Sequence, residues 1–97
     1  MTRDEAIEIL RQHFPGLARD FGVKGLALFG SWARGNAGPE SDVDVLAEFD
    51  GAPTFDQYMG LKLRLEDLLI KPVDLVTLRG LKPRLRPIVE REAIRVA

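Results

Sequence analysis

A short apolar run at 25–29, bounded by glycines, limits the folds open to this chain more than any other segment. A continuous apolar run of this length is typical of a strand buried on both faces of a sheet. Strand-like patterns follow at 43–49 and 73–78. Because turn residues or helical periodicity separate these runs, the sequence predicts a chain in which helices and strands alternate.

The first helix has a start signal and a stop signal. Thr2 and Glu5 have the spacing of a capping box, and apolar residues then recur at steps of three and four. Pro15 and Gly16 follow, and proline removes a hydrogen bond from a helix interior. We therefore expect a helix over 3–14 that ends at Pro15.

Two more helices are predicted in the second half of the chain. Thr54 and Gln57 repeat the capping-box spacing before a stripe of apolar residues, which predicts the longest helix over 55–70. Pro87 suits the first turn of a final helix. The stripe comprises Phe55, Tyr58, Leu61, Leu65, Leu68 and Leu69, and the expected buried side of the final helix is Ile88, Val89, Ala93 and Val96.

These elements predict an α/β (α+β) fold in one domain spanning 1–97, with helices packed on a sheet of three or four strands. The 97 residues are 45% hydrophobic and 30% charged, which suits a soluble domain with a single core. The net charge of −1 gives no overall attraction to nucleic acid. Direct nucleic-acid binding is therefore not expected.

The chain contains no cysteine, which excludes disulfides, thiolate catalysis and thiolate metal sites. The first residues are not followed by the apolar stretch of a signal peptide. No apolar run approaches the roughly 20 residues that a membrane helix needs. We therefore expect a cytoplasmic protein without a membrane partner.

Three aspartates stand at strand positions. Asp42 and Asp44 are spaced i, i+2, so on a strand their carboxylates point to the same face. Asp74 is the second residue of the strand pattern at 73–78, and we expect it to lie on a strand adjacent to that of Asp44. Converging hard oxygen ligands suit Mg²⁺, which binds through one or two carboxylates together with substrate phosphates. A pair of Mg²⁺ ions about 3.5–4 Å apart can clamp both oxygens of a phosphoryl displacement. We expect Asp42, Asp44 and Asp74 to be catalytic and to hold metal, with Asp74 as a ligand or as a general base.

A glycine and a serine precede the aspartates. Gly30 lets phosphate oxygens approach the backbone, and Ser31 adds a hydroxyl donor and is expected to cap a short helix through Arg34. We expect Gly30 and Ser31 to bind the β- and γ-phosphates of a nucleoside triphosphate, with Arg34 as a further phosphate contact or a solvent-facing side chain.

The segments 28–35 and 41–45, together with Asp74, resemble the minimal nucleotidyltransferase (MNT) group of the DNA polymerase β-like nucleotidyltransferase superfamily. The resemblance covers nearly the whole chain, and none of the three carboxylates departs from the pattern. It implies a small mixed sheet with flanking helices. It also implies an antitoxin that transfers AMP from ATP to a tyrosine hydroxyl of a partner, a HEPN-domain ribonuclease toxin, and so silences it.

Two other functions are compatible with the residues. The first is a non-catalytic antitoxin that neutralises a toxin by binding, to which the basic segment at 79–95 could contribute. The second is a transferase that acts on a small molecule or on an RNA end. A chain of this length has little room for a separate acceptor-binding domain, which favours an acceptor on another protein.

Overall fold

The computed structural model describes residues 1–35, 38 and 41–97, which form one mixed four-stranded sheet with helices packed against it. The elements follow in the order α1 (Arg3–Phe21), β1 (Val23–Phe29), α2 (Gly30–Arg34), β2 (Val43–Phe49), α3 (Phe55–Leu69), β3 (Val73–Thr77), α4 (Arg86–Glu92) and β4 (Ile94–Arg95). The predicted fold class is confirmed, and so are the three predicted strands to within two residues.

The strands lie in the order β3-β2-β1-β4. β1 is antiparallel to both of its neighbours, whereas β2 and β3 are parallel. The parallel pair is joined by α3, the crossover that such a pair requires. As a result, the end of β1 and the beginnings of β2 and β3 lie at the same edge of the sheet.

The sheet has two different faces, because side chains alternate along each strand. The closed face packs against α1 and α3 and forms the core with buried leucines such as Leu10, Leu61 and Leu65. The open face carries the intervening residues. Its strands contribute Ala27 and Phe29 from β1, Asp44 and Leu46 from β2, and Asp74 and Val76 from β3.

The predicted end of α1 at Pro15 is wrong, because the helix continues to Phe21 with Pro15 inside it. With 19 residues it is longer than α3, which has 15, so the prediction that α3 is the longest helix is also wrong. The continuation places Leu17 in the core at 1% exposure, and burial of this kind offsets the lost hydrogen bond. The helix ends at Gly22, whose left-handed φ of 73° forms its C-cap. Gly60 of α3 allows close packing of the two helices, since a Cβ there would lie 2.5 Å from the Phe21 ring.

Three smaller expectations also need correction. Ser31 is not a helix cap, because α2 begins at Gly30 and its N-cap is Phe29, which makes no side-chain hydrogen bond. Phe55 and Ile88 are exposed rather than packed on the core. Val96 is buried as predicted, but it follows the short strand β4 instead of lying on the final helix.

The glycines and the proline at 35–39 predict a loop, which falls partly on residues outside the described ranges. Within those ranges, Gly38 accepts a hydrogen bond from the backbone N–H of Ser41. None of the described helices is both long and apolar enough to cross a membrane.

Candidate active site

Two of the predicted site carboxylates are neighbours on the open face. Asp44 of β2 is paired in register with Asp74 of β3, so both side chains leave the sheet on the same side. Asp42 lies just before the first residue of β2 and is exposed. The parallel pairing of β2 and β3 therefore brings together residues that are 30 positions apart in the sequence.

The electrostatics of Asp44 reflect this crowding. Burial raises the pKa of the Asp44 carboxyl, and the nearby carboxylates of Asp74 and Asp42 raise it further, while Arg34 acts in the opposite direction. Like charges disfavour ionisation of one another, and a positive charge reverses that effect. The three aspartates thus form one electrostatic group that a cation would stabilise.

Gly30 lies against this group. It leaves β1 with a left-handed φ of 67°, which glycine adopts without strain. The strand residue before it, Phe29, is paired with Asp44, and a Cβ at Gly30 would overlap the Asp44 Oδ2 atom. A side chain at this position would therefore displace the carboxylate, and only glycine allows this approach of backbone to Asp44.

The short helix α2 is fixed from both sides. Its buried residues Trp32 and Ala33 anchor it, and the Arg3 guanidinium of α1 donates a hydrogen bond of 3.1 Å to the Ala33 carbonyl. Lys71 lies 5.8 Å from the centre of the Trp32 ring. Trp32 thus has a packing role, and it holds Ser31, which is half-buried in the first turn of α2.

Arg34 does not simply face solvent. Its guanidinium forms an ion pair of 3.3 Å with Glu92 of α4, and its charge still reaches Asp44. The sequence did not predict this pairing, because Glu92 lies 58 positions from Arg34 and no local pattern connects the two residues. The pair ties α2 to α4 beside the aspartates.

Residues of α3 fix β3 and hence Asp74. The Tyr58 hydroxyl donates to the Leu75 carbonyl at 2.5 Å, and Glu66 accepts a hydrogen bond of 2.9 Å from the Val73 backbone N–H. This hydrogen bond, together with Lys62, lowers the pKa of the Glu66 carboxyl. The two contacts hold β3 on either side of Asp74, and sequence reasoning missed both roles.

Among the described residues, no three His, Cys, Asp or Glu side chains are grouped closely enough to form a metal site by themselves. The carboxylates fit a Mg²⁺ ion that takes its remaining ligands from substrate phosphates, which is the usual manner of Mg²⁺ binding in nucleotide enzymes. The donor set is all oxygen and carries excess negative charge, as such an ion requires.

Residues 4–96 match the family model of the nucleotidyltransferase domain. The chain belongs to this family. The match includes Gly30, Ser31, Arg34 and the three aspartates, so the enzyme class is nucleotidyltransferase.

Relatives of this nucleotidyltransferase cover it almost completely. The protein adenylyltransferase MntA of Thermococcus cleftensis is 38% identical over 96 residues, which are 99% of this chain and 97% of the relative. A solved minimal nucleotidyltransferase is 42% identical, with a TM-score of 0.82 over 97% of this chain and 95% of that one. The resemblance to the minimal nucleotidyltransferase group is confirmed.

A more distant structure shares the fold. It belongs to the complex of a tri-AMPylated HEPN toxin with an MNT antitoxin from Shewanella oneidensis. Its TM-score is 0.67 at 22% identity, and the match covers 94% of this nucleotidyltransferase and 71% of that chain.

Proposed function

We propose that this nucleotidyltransferase is an antitoxin that transfers AMP from ATP to a tyrosine hydroxyl of a HEPN-domain toxin. The observation that carries the proposal is the contact of the Gly30 backbone with Asp44, opposite Asp74 in the register. This contact sets a phosphate-accessible turn beside paired carboxylates. The adenylyltransferase relative and the AMPylated toxin complex support the choice of AMP and of the acceptor.

The metal in this proposal is Mg²⁺, as two ions held by Asp42, Asp44 and Asp74. When bound, the ions supply positive charge to the phosphates and to the reacting oxygens. The raised pKa of Asp44, caused by burial and by its acidic neighbours, is the structural sign that the site favours added positive charge.

The chain's own groups position the nucleotide. The backbone at Gly30 and the Ser31 N–H and hydroxyl hold the β- and γ-phosphates. α2 has only five residues, so direct hydrogen bonds contribute more here than the dipole of the helix. Arg34 exchanges part of its contact with Glu92 for the phosphates, since an exposed ion pair of this kind is weak.

Asp74 is placed to handle the proton of the acceptor. It is exposed on the open face beside Asp44, so an incoming hydroxyl can reach it. As a general base it accepts the phenolic proton while the oxygen attacks the α-phosphorus. A positioned base typically contributes about 10²–10⁴-fold to the rate.

The test is label transfer from ATP to the product of a neighbouring toxin gene, with Mg²⁺ present. Asp44→Asn and Asp74→Asn are compared with Asp50→Asn, an exposed aspartate at the opposite end of β2. We expect transfer by the wild type and by Asp50→Asn, and a loss of about 10²-fold or more in the two site variants. Equal transfer by all four proteins, or none by the wild type, would reject the proposal.

The same variants separate catalysis from neutralisation by binding. If Asp44→Asn still binds the toxin but no longer protects cells, transfer is the protective activity. If it protects as well as the wild type does, the protein acts as a binding antitoxin.

A further inference from the structure

A cavity of about 260 Å³ lies on the open face, beyond the aspartates. Its floor includes Ala27 and Leu46, and Glu90 and Ala93 at the end of α4 line another side. Leu46 follows Asp44 by two residues on the same strand face, so its Cα lies about 7 Å along the strand from that of Asp44. We propose that this cavity is the acceptor subsite and that it receives the phenol side chain of a tyrosine.

The topology puts this cavity on the side from which an acceptor must come. β1 is antiparallel to β2, with Phe29 level with Asp44 and Ala27 level with Leu46. Gly30 and the cavity therefore lie on opposite sides of the row formed by Asp44 and Asp74. In an in-line displacement the attacking oxygen enters opposite the leaving group. With pyrophosphate leaving at Gly30 and Ser31, the attack comes from the direction of Ala27 and Leu46. This assignment of the cavity rests on the proposed function, AMP transfer from ATP.

The size of the cavity favours a side chain over a nucleoside. Sites that enclose drug-sized ligands have volumes of roughly 300–1,000 Å³, which is more than this cavity offers. Its floor is apolar, which rewards the burial of an aromatic ring more than that of a serine hydroxymethyl group.

The charges at the cavity favour a neutral acceptor. Glu48 and Glu90 line it, and the only cation among the described lining residues is Arg95, which already pairs with Glu48 at 3.7 Å. Glu90 is paired as well, with Arg86 at 3.3 Å. The described lining residues therefore offer no unpaired cation to an acceptor that carries phosphate, such as an RNA end. A phenol is uncharged below its pKa of about 10.

The transfer needs no reactant other than the phenol and ATP. The phenolic oxygen forms a bond to the α-phosphorus, and the bond from that phosphorus to the oxygen bridging the β-phosphate breaks. Pyrophosphate leaves with the bonding electron pair, and the phenolic proton passes to the Asp74 carboxylate.

The test uses p-cresol as a phenol probe and follows the methyl signals of Ala27 and Leu46 by NMR. We expect p-cresol to shift both signals and p-cresyl phosphate to leave them unchanged. Ala27→Leu fills the cavity and should weaken p-cresol binding by about tenfold or more, while affinity for a non-hydrolysable ATP analogue with Mg²⁺ stays within about twofold. Val76→Leu, on the same face beside Leu46 in the register, is the matched control and should change neither.

Three results would overturn this assignment. One is a wild type whose Ala27 and Leu46 methyls do not respond to p-cresol, a measurement that needs no variant to fold. The second is an Ala27→Leu protein whose affinity for the ATP analogue falls while its affinity for p-cresol does not. That result would mean that the cavity binds the nucleoside. The third is stronger binding of p-cresyl phosphate. Failure of the proposed function would show separately, as absence of AMP transfer by the wild type.

Discussion

On its closed face the sheet presents Leu26, Val45 and Leu75 to the helices α1 and α3. The residues adjacent to these three on the same strands, Ala27, Asp44 and Asp74, lie on the open face. One face is apolar and almost fully buried. The other gathers negative charge and leaves it accessible. The difference shows that a single alternation of side chains separates the part of the molecule that makes it stable from the part that makes it reactive.

The two faces of the sheet also affect the stability of the fold in opposite directions. Burial of leucines on the closed face stabilises the fold, while the grouped carboxylates on the open face oppose folding until a cation neutralises them. Changes on the closed face should therefore act on stability, and changes on the open face should act mainly on transfer.

The largest expected effect is on the closed face. Leu65→Ala removes a fully buried side chain of α3 and should lower the free energy of unfolding by about 2–5 kcal/mol, because it leaves a cavity in the core. Leu46→Ala on the half-buried open face should cost about 1 kcal/mol. Urea unfolding followed by circular dichroism measures both, and equal losses would contradict the division between the faces.

The next effect is on the open face. Gly30→Ala introduces a Cβ that overlaps Asp44 Oδ2, so transfer should fall by about 100-fold, the effect of displacing a reacting group by about 1 Å. The control is Gly51→Ala, which has a similar φ of 81° and whose Cβ would meet only the end of the Arg79 side chain, at 3.9 Å. Both variants should lose about 1–2 kcal/mol of stability from backbone strain. Loss of transfer in the control as well would mean that strain, not the contact with Asp44, matters.

A smaller effect is expected where α3 holds β3. Tyr58→Phe removes the hydrogen bond to the Leu75 carbonyl and leaves the ring in place, so stability should fall by about 1 kcal/mol. Thermal unfolding checks this value. An unchanged Tm would show that the hydroxyl does not help to fix the strand that carries Asp74.

The smallest expected effect is a gain in stability when the charge of Asp44 is removed. The pKa of Asp44 is raised in the folded protein by burial and by Asp74 and Asp42, so the folded state holds this proton more tightly than the unfolded state does. Stability is therefore lost as the pH rises from the unfolded pKa through the folded one, and at neutral pH the ionised group opposes folding.

Asp44→Asn should accordingly raise the Tm at pH 7 in the presence of EDTA, with the gain disappearing at a pH below the unfolded pKa. Asp50→Asn serves as the exposed control. A lower Tm for Asp44→Asn at pH 7 would contradict the electrostatic comparison of the two faces.

Local sequence signals were enough for parts of this structure. Both capping boxes form as predicted, at Thr2 with Glu5 and at Thr54 with Gln57, because the groups involved lie within one helical turn. The three main strands were predicted from the apolar run at 25–29 and from the strand-like patterns at 43–49 and 73–78. The placement of Asp74 on the strand next to Asp44 is confirmed, whereas its catalytic role stays a prediction.

The errors have a common origin in distant contacts. Pro15 ends a helix by local rules, yet Leu17 is drawn into the core and α1 continues. β4 has only two residues and forms because Ile94 pairs with Leu28, 66 positions away. The Arg34–Glu92 pair and the hydrogen bond of Glu66 to Val73 likewise depend on tertiary structure. Strand direction could not be predicted for the same reason.

The most direct test of the division between the faces is an NMR titration of the wild type with AMP-PNP and Mg²⁺, followed by backbone amide shifts. The expected result is a set of large shifts at Gly30, Ser31, Asp44 and Asp74, with Leu61 and Leu65 of α3 nearly unchanged. Shifts concentrated on α1 and α3, or no shifts at saturating nucleotide, would contradict the assignment of nucleotidyl transfer to the open face.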